Sequence, residues 1–127
     1  MSRDKSAPIV IDNAYMKQMP PGQHVGAVYL RIINNSKEDL ILNYVHSPVA
    51  AEVEVHRNFY EEGMMQMRPV KHVRVPAGDS LRFEPGGYHL MFMGVESQFE
   101  VEDSFDLVLE FEGGKAVPTR VTVKPAG

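Results

Sequence analysis

The feature of this chain that most constrains its fold is a succession of short apolar runs separated by turn residues. In the run 51–56, Val53 and Val55 alternate with glutamates, and a strand with one buried face has this period of two. The runs recur roughly every 8–15 residues, mostly separated by glycine or proline, and no helical stripe accompanies them. The pattern therefore predicts an all-β sandwich or barrel. The predicted strands are 9–11, 25–33, 40–45, 51–56, 70–75, 80–83, 89–93, 105–111 and 117–123.

Composition limits the partners and the kinds of site that such a domain can have. The chain has 127 residues, which suits one domain, with 43% hydrophobic and 24% charged residues. A net charge of −4 without adjacent basic residues argues against a nucleic-acid partner. The absence of cysteine excludes disulfides, thiolate metal sites and thiol chemistry. No apolar stretch is long enough to predict a membrane span, and the polar residues 1–6 lack the apolar core of an export signal.

Methionine and histidine are the residues whose positions require a functional explanation. There are eight methionines and five histidines. If 89–93 is a strand, His89 and Met91 share one face, and the apolar residues between them take the core face. On the strand 51–56, His56 likewise points away from the valines. Two histidines and at least one methionine are therefore expected on strand faces turned away from the core.

A set of imidazole and thioether donors is typical of a site for a soft metal ion. The thioether sulfur is neutral and polarizable, and imidazole is a borderline ligand, so the mixture favours Cu(I). Zn(II) ordinarily takes thiolate, imidazole or carboxylate, whereas Mg(II) and Ca(II) require oxygen ligands. Because a blue-copper centre requires a thiolate, the lack of cysteine excludes that kind of electron-transfer site.

Other residues of these types are expected to have structural roles. Methionine fills irregular gaps in a core, and this role is favoured for Met16, Met19 and Met65. Met64 and Met93 could be ligands or neighbours of ligands. Exposed carboxylates are common on strands, so the glutamates that share a face with His56 are interpreted as a solvated strand face. These are Glu52 and Glu54.

Four of these residues stand in a specific pattern: His56, ten residues, Met67, twenty-one residues, His89, one residue, Met91. This pattern resembles the motif of the PCuAC family of periplasmic copper chaperones. The resemblance covers nearly the whole chain and implies a cupredoxin-like β-sandwich or barrel that binds one Cu(I). It further implies that His56, Met67, His89 and Met91 are the metal ligands. As a copper carrier, the chain is then expected to close the site with Met67 from the intervening loop. Segments that also read like the family include 26–34, 47–50, 53–56, 75–78 and 85–91.

The resemblance also implies a biological context. Family members deliver copper toward the Cu(A) centre of cytochrome c oxidase, often together with Sco-type proteins. The expected partner is therefore an acceptor protein such as a cytochrome c oxidase subunit or a Sco-type chaperone. The expected protein is a periplasmic monomer and not an enzyme. Its predicted organisation is a flexible segment 1–8, a copper-binding β domain 9–124 and a short C-terminal end 125–127. The alternatives are a metal-independent β-sandwich binding module and, with less support, a copper redox enzyme.

Overall fold

The computed structural model describes residues 7–126, and within them the fold is all-β without a helix. The predicted fold class is therefore confirmed. The predicted segment 1–8 falls mostly outside the described residues, as does Gly127. The strands are β1 (Ile9–Lys17), β2 (Val25–Asn34), β3 (Leu40–His46), β4 (Glu52–Glu61), β5 (Met64–Pro69), β6 (Val73–Val75), β7 (Ser80–Phe83), β8 (Tyr88–Met93), β9 (Ser104–Phe111) and β10 (Lys115–Lys124).

The strands form one sheet that folds over on itself. Their order is β5-β4-β8-β2-β1-β10-β9-β3-β6, and β7 pairs with β2 beside β8. β1 and β10 run parallel, whereas β2 is antiparallel to each strand with which it pairs. Phe92 of β8 and Phe105 of β9 have ring centroids 5.6 Å apart, although three strands lie between β8 and β9 in the sheet. The contact shows that the two halves of the sheet pack face to face as a sandwich.

The core lies between these halves, and alternation along the strands selects its members. In β2, Val28, Leu30 and Ile32 are buried, while the residues between them are partly exposed. β9 alternates in the same way between buried apolar residues and more exposed positions. Because successive side chains of a strand point to opposite faces, one face of each strand is committed to the core. The other face is available for a site.

One strand was missing from the prediction. Residues 64–69, expected to include a loop that carries Met67, form β5 and pair with β4 in a hairpin. All six residues of β5 are exposed, so no face of it shows the alternation that identifies a half-buried strand. Backbone pairing with β4 holds the strand in place. Met67 is consequently fixed opposite Asn58 and does not belong to a loop.

The methionines predicted to fill the core divide into two groups. Met16 is 0% exposed and Met19 is 9% exposed, which confirms the prediction for both. Gly26 makes room for them, since a Cβ at this position would lie 2.8 Å from the Met19 sulfur and 2.9 Å from the Met16 sulfur. Met65 is 51% exposed, so the prediction was wrong there. Met65 belongs to the edge strand β5, all six residues of which are exposed.

The turn after β8 is expected to be sensitive to any side chain at Gly94. Its φ is +69°, and a Cβ there would lie 2.6 Å from the Cβ of Ala51. Left-handed strain costs about 1–2 kcal/mol and overpacking about 1–3 kcal/mol. We therefore expect Gly94→Ala to lower the free energy of unfolding by about 2–5 kcal/mol, measured by urea denaturation.

Gly113 provides the control for this prediction. Its φ is also positive, +89°, but a Cβ there would meet no atom within 4 Å. Gly113→Ala therefore carries the backbone strain alone. Equal losses in the two variants would show that the contact with Ala51 does not matter.

Candidate metal centre

The four predicted ligands lie on one face of three adjacent strands. β5, β4 and β8 are neighbours in the sheet, and His56 of β4 is directly opposite His89 of β8. Met91 is two residues further along β8, and Met67 of β5 pairs with Asn58, two residues from His56. Since cross-strand partners and residues two apart share a face, all four side chains project from the same side of the sheet.

Two of the predicted ligands touch, and a third stands beside them. The Nε2 atom of His89 is 3.1 Å from the sulfur of Met67, and the His56 and His89 ring centroids are 5.6 Å apart. The Nδ1 atom of His89 is 3.4 Å from the carbonyl oxygen of Gly87. The Gly87 carbonyl oxygen and the Met67 sulfur can both only accept, and the carbonyl is the stronger acceptor, so we assign the proton of the neutral ring to Nδ1. The Nε2 lone pair then faces the Met67 sulfur.

The environment of His89 favours the neutral ring. Burial lowers the pKa of His89, its hydrogen bond to Gly87 opposes the shift, and the nearby His56 lowers the pKa further. The residue is only 6% exposed, and desolvation disfavours the charged form of a buried histidine. A metal must displace a proton from a charged imidazole but not from a neutral one. The lowered pKa therefore keeps the Nε2 lone pair available.

Exposure rises from one side of the site to the other. His89 is nearly covered, the His56 side chain is 16% exposed, and Met91 is half-buried. Met67 is 53% exposed. The four side chains therefore form a shallow site at the surface that is most open on the side of β5.

His56 has one partnered and one unpartnered nitrogen. Its Nε2 atom is 2.9 Å from a carboxylate oxygen of Glu54, whereas its Nδ1 atom is buried and is the one such side-chain atom within residues 7–126 that lacks a hydrogen bond. A buried polar atom without a partner is costly unless a ligand satisfies it. A free imidazole nitrogen on a ring whose centroid is 5.6 Å from that of His89 fits a soft cation such as Cu(I).

Glu54 is the residue of this site that sequence reasoning missed. It was interpreted as part of a solvated face, yet its hydrogen bonds with His56 and Glu52 lower its pKa, and the contact with Glu54 raises the pKa of Glu52. The signal was present in the sequence, because residues two apart on a strand share a face.

The two remaining methionine candidates lie on different faces of the sheet. Met93 is the cross-strand partner of Glu52 and lies on the same face as the predicted ligands. Met64 is three residues from Met67, so alternation turns it to the other face.

Comparison with known proteins places the chain in a family. A family model described as "Putative lipoprotein LpqE-like" matches residues 9–123. The chain belongs to this LpqE-like family. A relative from Leifsonia xyli subsp. xyli, named "Putative lipoprotein Lxx21020", is 27% identical over 117 residues, which cover 91% of this chain and 69% of the relative.

Solved structures similar to this LpqE-like chain include PCuAC domains. The copper-bound PCuAC domain from PmoF2 has a TM-score of 0.80 at 18% identity, covering 98% of this chain and 99% of the other. The Cu(I) form of DR1885 from Deinococcus radiodurans has a TM-score of 0.75 at 25% identity, covering 94% and 80%. These similarities confirm the predicted resemblance to the PCuAC family and the cupredoxin-like fold. Within residues 7–126 there is no helix with the length and apolar character to span a bilayer.

Proposed function

We propose that this LpqE-like protein is a copper chaperone that holds one Cu(I) ion between His56, Met67, His89 and Met91. The observation that carries the proposal is the contact of the His89 Nε2 atom with the Met67 sulfur at 3.1 Å. It lies beside a second imidazole whose Nδ1 atom is buried without a partner. Two imidazoles and two thioethers form a neutral donor set of the kind that favours Cu(I). The PmoF2 and DR1885 structures were determined with copper bound, which supports the same cargo here.

The exposure of the site suits a carrier. Neutral thioethers make weaker ligands than thiolates, so copper held by them exchanges more readily. Because Met67 is the most exposed of the four residues, we expect an acceptor to replace it first and the buried His89 last. The acceptor in this proposal is a copper-receiving protein, such as the Cu(A) subunit of cytochrome c oxidase or a Sco-type chaperone. Transfer of an intact ion requires no turnover chemistry, so the protein acts as a carrier and not as an enzyme.

We place this activity outside the cytoplasm, in the periplasm or its equivalent. The support is that the matching family and the Leifsonia relative are both named as lipoproteins. Lipoproteins are exported. Copper transfer from the loaded chaperone to a membrane-bound oxidase would therefore take place on the outer side of the cytoplasmic membrane. The predicted monomeric state is part of the same proposal.

The proposal predicts one equivalent of bound Cu(I). Titration under anaerobic conditions against a chromophoric chelator such as bicinchoninate should reveal one site with submicromolar affinity. His56→Ala, Met67→Leu, His89→Ala and Met91→Leu should each weaken that site. Weaker binding by the unmodified protein would instead favour a metal-independent binding module, and sustained oxygen reduction by the copper form would favour a redox enzyme.

A further inference from the structure

The Glu54–His56 pair has a specific geometry that the proposed copper site does not itself explain. The Oε1 atom of Glu54 lies 2.9 Å from the Nε2 atom of His56. An ionised carboxylate can only accept hydrogen bonds, so this contact requires the proton of the neutral imidazole to be on Nε2. The lone pair of His56 is then on Nδ1, the buried atom that has no partner within residues 7–126.

His89 has the opposite arrangement. Its Nδ1 atom contacts the Gly87 carbonyl oxygen, and its Nε2 atom faces the sulfur of Met67. The two rings lie directly across from each other on β4 and β8, but their hydrogen-bond partners leave a different nitrogen free on each ring. On β8 a backbone carbonyl sets the tautomer, whereas on β4 a side chain does so.

We propose that Glu54 is a positioning residue of the copper site, which holds the proton of His56 on Nε2 and so presents Nδ1 as the metal donor. The inference rests on the proposed function. A histidine ligand commonly donates its other ring N–H to a carboxylate, which fixes the tautomer and orientation of the ring and raises its basicity. Loss of such a partner typically costs about 10–100-fold in metal affinity.

Three variants test this role. Glu54→Ala removes the acceptor, and we expect Cu(I) affinity to fall by about 10–100-fold. Glu54→Gln keeps an amide oxygen that can accept from Nε2–H, so its affinity should fall less. Glu52→Gln is the matched control, since it removes a negative charge from the same face but leaves the acceptor of His56 in place. Thermal unfolding of each variant checks that the fold is retained.

A second readout does not depend on copper. Nitrogen-15 NMR of the imidazoles in the apo-protein reports which ring nitrogen carries the proton. We expect the unmodified protein and Glu54→Gln to hold His56 with the proton on Nε2, and Glu54→Ala to show a mixture of tautomers. His89 should keep its proton on Nδ1 in all variants, because its partner is the backbone of Gly87.

Several outcomes would overturn the proposal. An unchanged tautomer together with an affinity within twofold in Glu54→Ala would show that Glu54 does not position the ring. A loss in Glu52→Gln equal to that in Glu54→Ala would assign the effect to charge and not to the hydrogen bond. An unmodified protein that binds no Cu(I) would overturn the proposed function itself, while the apo-protein spectra would still decide the tautomer.

Discussion

Replacing Met67 with leucine is expected to abolish tight Cu(I) binding while the fold survives. Leucine and methionine have similar volumes, and such exchanges usually cost under about 1.5 kcal/mol even in a core. Met67 is 53% exposed, so the loss of stability caused by Met67→Leu should be smaller. The substitution removes the sulfur that lies 3.1 Å from His89. Because Met67 is proposed as a direct ligand, its loss should weaken binding by more than the roughly 10–100-fold typical of outer-shell partners.

β5 supplies a control in which almost everything else is equal. Met65 is 51% exposed, and its side chain lies on the same strand and points to the same face of the sheet as that of Met67. It pairs with Tyr60, away from the histidines. We expect Met65→Leu to bind Cu(I) as the unmodified protein does, measured by the same chelator competition. If both variants bound Cu(I) equally well, the assignment of Met67 as a ligand would be wrong.

Phe92→Ala is expected to cause the largest loss of stability among the substitutions considered. Phe92 is fully buried on the core face of β8 and contacts Phe105 across the sandwich. Truncating a buried phenylalanine typically costs about 3–5 kcal/mol, because apolar burial is lost and a cavity remains. A domain of ordinary stability has only about 5–15 kcal/mol in total. The variant should therefore unfold at a much lower urea concentration.

The same substitution at Phe59 separates burial from residue type. Phe59 is half-buried in the β4–β5 hairpin, where the Arg57 and Arg68 guanidinium groups lie 5.1 and 5.6 Å from its ring centroid. Surface cation–π contacts contribute about 0.5–1 kcal/mol each. Phe59→Ala should therefore cost much less than Phe92→Ala. Comparable losses would mean that Phe92 is not part of the main core.

Half-buried strands account for what could be predicted from the sequence. β4 and β8 place apolar residues such as Val55 and Leu90 on the core face, and this constraint leaves His56, His89 and Met91 on the other face. The alternation was readable because the core imposes it. Met67 was added to the predicted ligands only because the spacing of the four residues resembles the motif of a known family.

Features that depend on strand pairing or on one specific side-chain hydrogen bond could not be predicted from alternation. β5 has no buried face, so Met65 and Met67 gave no periodic pattern, and only the register with β4 places them. Alternation places Glu54 on the same face as His56, but it does not specify the hydrogen bond between the two side chains. Patterns in a single sequence predict which residues are buried, but they predict an edge strand or a specific hydrogen bond poorly.

The edge position of β5 has a kinetic consequence for the proposed carrier. Within the described part of the chain β5 pairs with β4 alone, whereas β4 and β8 are paired on both sides. Peripheral strands open at a lower free energy than the whole domain, which native-state hydrogen exchange detects as fast amide exchange. Each such opening would withdraw the Met67 sulfur, while His56 and His89 would stay in place on β4 and β8. The residence time of the metal would therefore depend on the local stability of one strand and not on the stability of the domain.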